Sequence, residues 1–330
     1  MKFLFSLFAI VTFVFNANAQ TVKILTSGTK TSLRGLSVVN DNIVWASGSG
    51  GMVAKSIDGG TTWKWYTVKG FEKTEFRDIE AFDANTAIIM GIAEPAYILK
   101  TTDGGESWKT VYKNEGKGMF LDAMDFSNDK DGVVIGDPIN GNFFIARTSD
   151  GGESWQEETF NNRPKADSGE ACFASSGTNI RKMKNKKEIF ISGGLSSHLF
   201  NGNKRLFIPI LQGNESTGAN SVAFKSRKIM IAVGGDFNTK DSTVKNCFIT
   251  KNGGRRWFAP LTPPHGYRSC IEYLGKNKWI TCGLNGVDLS SDNGNNFSSV
   301  SKESFHTCKS AKKGTAVFFS GNNGRIGKLY

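Results

Sequence analysis

Short runs in which apolar and polar residues alternate fill this chain, broken at close intervals by Gly, Asn and Asp, which is the pattern of half-buried strands joined by tight turns. Sustained helical periodicity is absent. The stretches TSLRGLSVVNDNIVWASGSGGMVAKSIDGGTTWKWYTV, EFRDIEAFDANTAIIMGIAEPAYILKTTDGGESWKTVY and MFLDAMDFSNDKDGVVIGDPINGNFFIARTSDGGESWQEETF follow one order. Each opens with an apolar strand that ends in an Asn/Asp turn. A β-branched strand ending at Gly comes next, then a loop and a third strand. A fourth strand follows a terminal Trp. Four short strands with polar turns make one antiparallel sheet.

The third strand of each unit runs into a recurring phrase: SIDGGTTW at 56–63, TTDGGESW at 101–108, TSDGGESW at 148–155, TKNGGRRW at 250–257 and SSDNGNNF at 290–297. A fixed-period echo marks one supersecondary unit stacked on itself. Asp103 follows Asp58 by 45 residues, Asp150 follows Asp103 by 47, and Asp292 follows Asn252 by 40. Asn252 follows Asp150 by 102, room for a silent copy near Asn201, where FNGNKRL offers an Asn-Gly hairpin in place of the phrase. With units at 170–206, 215–258 and 266–299, six are complete. A seventh, 305–330, has room for three strands, and the N-terminal TVKIL at 21–25 alternates like the missing fourth. The expected fold is all-β: a seven-bladed β-propeller of four-stranded antiparallel blades, closed by the N-terminal strand so that no sheet edge is left open.

The phrase resembles the Asp box, or bacterial neuraminidase repeat, of sialidases, sortilin-type receptors and photosystem II stability/assembly factors. That resemblance places it on the turn between third and fourth strands, away from the functional face. Asp58, Asp103, Asp150, Asn252 and Asp292 are accordingly structural: the side chain accepts backbone N–H bonds across the turn, the glycines adopt positive φ, and the aromatic ring plugs the hairpin.

Residues 1–19 are a separate object. Lys2, an apolar run over 3–15 and Ala17-Asn18-Ala19 form a secretory signal with a small-x-small cleavage site, which leaves 20–330 as a single propeller domain in the periplasm or outside the cell. The apolar run is too short to span a bilayer, and no later segment is long and apolar enough. The formal charge of +11 includes Lys2. In an exported chain without a recognition motif this basicity does not point to nucleic acid; it suits a solvated surface, or attraction to anionic glycans, lipopolysaccharide or an acidic protein. Basic stretches at 181–187 and 309–313 read as hairpin turns. Five cysteines leave at least one thiol unpaired. Cys172, Cys270 and Cys308 fall at one repeat register with Leu36, Ile79, Ala123 and Val222, a core position.

In this strand order the starts of the innermost strands and the loops between second and third strands meet at one mouth of the central channel. The first set is Arg34, Arg77, Leu121, Asn220, Arg268 and His306. The second is Glu94, Asp137, Ser196 to His198, Asp236, Asn285 and Arg325. The ligand-binding candidates are Arg34, Arg77, Arg268, His306, Glu94, Asp137, His198, Asp236 and Arg325, with the long loops 160–169, 209–218, 234–246 and 259–266 on the same face. Salt bridges from the arginines to Glu94, Asp137 or Asp236 would instead merely line a polar channel.

An enzyme would need two carboxylates across a glycosidic bond, for which Glu94, Asp137 and Asp236 are the candidates. Sialidase chemistry also asks for three arginines and a Tyr nucleophile, which Arg34, Arg77, Arg268 and Tyr267 could supply, yet the Arg-Ile-Pro element of sialidases is missing. His198, His265 and His306 lack metal-ligand spacing, the Asp-rich turn SNDKDG lacks the closing Glu of a calcium loop, and no dinucleotide fingerprint occurs, so neither metal nor cofactor is expected.

GDPINGNFFIARTSDGGESW, GEACFASSGTNI, VGGDF, GYRSC and GVDLSSDNGNNF resemble exported bacterial propellers related to the photosystem II stability/assembly factors. The resemblance implies a seven-bladed scaffold with a protein-binding or assembly role. Some members carry an oxidoreductase label. The expected function is a non-enzymatic scaffold that binds a protein or anionic glycan at the channel mouth, with a sialidase-like glycoside hydrolase as the alternative.

Overall fold

The structure is a computed structural model and describes residues 20–183, 187–202 and 204–330; the signal segment expected at 1–19 lies outside them. Seven antiparallel four-stranded units form a propeller. Their innermost strands are Leu33–Val38, Phe76–Ala81, Leu121–Phe126, Ile180–Lys182, Thr217–Phe224, Cys270–Gly275 and Thr307–Ser310, for blades 1 to 7 in order. Blade 7 has three strands of its own, and Val22–Thr26 completes it by pairing with Ile326–Leu329 in the register Val22 to Leu329. Both ends of the chain thus close one sheet.

Apolar faces of neighbouring blades interlock into clusters. Trp45 and Val53 of blade 1 pack with Phe76, Ile79 and Ile89 of blade 2, and Trp108 of the second Asp box joins them. Trp45 also donates Nε1–H to Asp83 O across the junction at 3.0 Å, so a large buried ring keeps its polar edge satisfied.

All five boxes fold alike, on the turn between third and outer strands. In the first, Ser56 Oγ donates to Asp58 Oδ1 at 2.8 Å and accepts the Gly60 N–H at 2.9 Å, while the Thr62 N–H and hydroxyl both donate to Asp58. These bonds favour the ionised carboxylate and hold its pKa down to about 2. Thr101 and Asp103, Thr148 and Asp150, Thr250 and Asn252, and Ser290 and Asp292 repeat the network. Blade 4 has the expected plain hairpin instead, between His198–Asn201 and Lys204–Phe207.

Blade 4 also departs from expectation. Its innermost strand begins at Ile180, not near 170, because residues 172–179 leave the sheet and cross the channel. Along this crossing the Cys172 N–H donates to Asp137 of blade 3, Ser175 O accepts from Arg34 of blade 1, and Ser175 Oγ donates to Asn220 of blade 5. Ser176 bonds Ser269 O of blade 6, and its carbonyl accepts from Thr307 of blade 7. Gly177, at φ +64°, lies so close to blade 2 that a Cβ there would sit 2.3 Å from Asp78 Oδ1. The segment is a plug, and serine, threonine and glycine suit it because it must satisfy strand ends of many blades in little space. Cys172 is therefore off the inner strands, and Cys270 and Cys308 occupy adjacent rather than identical registers, paired with Cys282 and Phe319. All five cysteines are buried and form no disulfide.

Candidate functional site

Bulges at the starts of the inner strands aim side chains into the channel. The ladder skips one residue between Leu33 and Gly35, Phe76 and Asp78, Leu121 and Ala123, and Ala219 and Ser221. The skipped residues are Arg34, Arg77, Asp122 and Asn220; Ser269 and His306 hold the same place in blades 6 and 7, one residue before Cys270 and Thr307, whose partners are Cys282 and Ser320. A bulge re-aims one side chain without ending the strand.

All of these but Asp122 open onto a cavity of about 420 Å³ above the plug. Arg34, Arg77, Asn220, Ser269 and His306 line it together with Asp137 and Tyr267. Phe120, Phe173, Phe237 and Leu284 give it apolar walls. Phe237 stands edge-on to both Phe173 and Tyr267, with ring centroids 6.1 and 6.3 Å away.

Positive charge dominates this space. Arg34 forms no ion pair among the described residues; its guanidinium donates to Ser175 O at 3.4 Å. Burial and the neighbouring Arg77 cation lower its pKa, though a guanidinium stays charged. Arg77 is 3.4 Å from Glu75, with both partners partly exposed. Burial, then Arg34, pushes His306 down to about 4, so at neutral pH its Nε2–H is a neutral donor, 2.9 Å from Asn322 Oδ1. Burial raises Asp137 to about 6 despite the Cys172 N–H it accepts at 2.9 Å.

Asp122 escapes sequence reading. It is fully buried and neither carboxyl oxygen lies in bonding geometry with a donor. Desolvation and then Asp137 raise its pKa well above the ordinary value, outweighing the pull of Arg77 and of the Ala174 main chain. Leu121, expected at the channel, packs in the core between blades because the bulge shifts the register by one.

The cavity brings together Arg34, Arg77, Asp137 and His306, but not the other candidates. Arg268 also stands one residue before its channel position: it is buried, ion-paired to Asp288, with Asn285 Oδ1 at 2.5 Å and Tyr267 O at 2.8 Å. Glu94 is exposed and accepts the Gly118 N–H at 2.5 Å. Asp236 caps its own loop through the Asn238 N–H at 2.9 Å. Arg325 pairs with Glu303 at 2.9 Å and donates to Ser304 O. None of Glu94, Asp137 and Asp236 pairs with Arg34, Arg77 or Arg268, so the purely salt-bridged channel lining does not form either.

His198 belongs to a different cluster. Its Nδ1 is 2.9 Å from Glu170 and, with Asp167, the three place donor atoms within 4.8 Å of one another. Glu170 also accepts from Ser192 and from the Asp167 N–H, while Arg205 pairs with Asp167 and puts a guanidinium where a cation would sit. The group ties the plug's entry to blade 4.

Residues 16–118 match the family model described as photosynthesis system II assembly factor YCF48. No curated protein matches the chain. Among solved structures, a YCF48 bound to a D1 peptide is similar at 16% identity and a TM-score of 0.67, over 95% of this chain and 96% of that one. YCF48 from Cyanidioschyzon merolae is similar at 18% identity and a TM-score of 0.67, over 94% and 99%. The WD40 β-propeller domain of Doa1 is similar at 12% identity and a TM-score of 0.64, over 94% and 97%. The class is therefore a seven-bladed Asp-box β-propeller. Its first two blades resemble the YCF48 assembly factors in sequence, and the whole ring resembles them in fold.

Proposed function

We propose that the chain is an exported, non-enzymatic scaffold that holds an acidic segment of a protein partner in the channel-mouth cavity. The observation that carries this reading is the pair Arg34 and Arg77, brought into one cavity with no tightly bound carboxylate between them. Two guanidiniums held in one cavity, with only the partly exposed Glu75 beside Arg77 and no ion-paired carboxylate on Arg34 among the described residues, cost free energy that an incoming carboxylate recovers. Phe120, Phe173, Phe237 and Leu284 suit the apolar part of a peptide. An anionic glycan would meet the same cations, but the aromatic and aliphatic walls suit peptide side chains better than an array of hydroxyls. The resemblance to a propeller solved with a D1 peptide supports a peptide ligand. A glycosidase needs a second carboxylate across the cavity from Asp137, and Glu94 and Asp236 are held outside it.

An array of acidic peptides and anionic oligosaccharides, run beside a chromogenic glycoside panel, tests the reading. Acidic peptides are expected to be retained and no glycoside turned over. Arg77→Ala weakens peptide binding about tenfold, the loss of one charge-assisted contact. Glycoside turnover abolished by Asp137→Asn would overturn the proposal.

A further inference from the structure

The face opposite the cavity carries a second, independent feature. Both the turn between first and second strands and the Asp box of a blade emerge there, and main-chain bonds tie them together: the Gly59 N–H donates to Asn42 O, Gly104 to Asn85 O, Gly151 to Lys130 O, Gly253 to Lys228 O and Asn293 to Asn277 O, all at 2.9–3.0 Å. The result is a level surface of short turns.

Charge is divided unevenly across it. In blades 1 to 3 these turns present Asp41, Asp83, Asp129, Glu106 and Glu153, and lysines offset part of this charge, with Lys64 on Glu106 and Lys100 on Glu153. Blades 5 and 6 are the reverse. Arg227, Lys228, Arg255, Arg256, Lys276 and Lys278 are exposed there, and none has an ion-pair partner among the described residues. Asp292 is the one carboxylate in the four turns of these blades, and its own box takes it up. Lys225 fixes the two blades together by donating to Asn277 at 2.5 Å and Asn293 at 3.1 Å. Like charges this close repel unless an anionic surface faces them.

Two large apolar side chains stand uncovered beside these cations. Leu261, in a loop expected at the channel mouth, is 84% exposed, and its N–H donates to Asn295 O at 2.8 Å, which anchors the start of that loop at the blade 6 box on this opposite face. Phe258, two residues past Arg256, is 53% exposed. A soluble polyanion needs only the cations. A bilayer has use for both kinds of group, with phosphates for the cations and an acyl boundary for the apolar side chains.

We propose that the blade 5 and 6 sector of this face docks on an anionic phospholipid surface, with the lysines and arginines in the headgroup layer and Leu261 and Phe258 in the acyl boundary. Among the described residues no helix is long and apolar enough to cross a membrane, so the attachment is peripheral. The cavity on the other face then points away from the lipid.

The chain from Gln20, which holds every strand of the ring, is floated with vesicles of phosphatidylcholine alone or with about a third phosphatidylglycerol. Binding to the anionic vesicles alone is expected, and it weakens as salt is raised. Replacing Lys228, Arg255, Arg256 and Lys278 together by Ser lowers partitioning at least about tenfold. Leu261→Ser with Phe258→Ser lowers it several-fold at unchanged charge, and both variants are checked for an unaltered thermal transition. Failure to bind anionic vesicles overturns the proposal. So does a Leu261→Ser, Phe258→Ser variant that floats as well as the parent, or heparin or duplex DNA held more tightly than the vesicles, either of which assigns the sector to a soluble polyanion.

Discussion

One residue decides the character of each channel position. Arg34, Arg77 and Asn220 enter the cavity wall because the ladder skips them, and Asp122 takes the same bulge position but stays fully buried, whereas Leu33, Phe76 and Leu121, each one place earlier, are core residues. Repeat alignment found Arg34 and Arg77, where the same bulge recurs, and His306, which stands at the same place just before its inner strand. It missed Asp122 and Ser269 by a single residue, and alternation along a strand carries no mark of a bulge. Asp122 carries a sign that can be tested. Its folded pKa is raised, so it costs no stability below about pH 4, where the free side chain is protonated, and costs progressively more as pH rises above that. Asp78, lifted by burial to about 7, and Asp125, to about 6, act in the same direction. The box carboxylates act oppositely: Asp58, held near 2, adds stability above about pH 4 that is lost only as pH falls through 2. Between about pH 5 and 8 the buried acids govern, and the thermal midpoint is expected to fall. Asp122→Asn, a neutral isostere, flattens that fall. Equal slopes for parent and variant in calorimetry would show that Asp122 is not held neutral.

At the scale of elements, the blades are readable because each Asp box repeats one local solution. The hydroxyl before the Asp, two glycines and an aromatic ring specify a turn without help from distant residues. The silent fourth copy was readable too, since Asn201 and Gly202 supply a hairpin of their own. The plug was not. ACFASSGTNI alternates like an inner strand, and what makes it a plug is a set of partners up to 141 residues away in sequence, such as Arg34. Gly177 is where that role is fixed. Gly177→Ala combines a positive φ with a Cβ 2.3 Å from Asp78 Oδ1, and a loss of at least about 2 kcal/mol is expected in chemical denaturation. Gly213→Ala, at φ +113° with nothing within 4 Å, bears the conformational cost alone, about 1 kcal/mol. Equal losses at the two sites would mean that the crossing is not tightly held against blade 2.

The whole molecule is a ring with two faces of different chemistry. The terminal strands close it by pairing Val22 with Leu329 and Lys23 with Lys328, a feature legible from the count of strands in the last unit. The division of faces follows from topology, since inner-strand starts gather at one end and Asp boxes at the other. Arg34 and Arg77 therefore share a cavity although 43 positions separate them, and the cations of blades 5 and 6 collect on the far side. The two surfaces carry separate roles, and one titration tells them apart. The tightest acidic peptide from the array is measured by calorimetry against the parent, against Arg34→Ala with Arg77→Ala, and against the variant lacking the Lys228, Arg255, Arg256 and Lys278 charges. The cavity variant is expected to bind at least about tenfold more weakly while the far-face variant binds as the parent does. Undiminished binding by the cavity variant, with the loss confined to the far-face variant, would contradict the assignment of the channel mouth as the binding site.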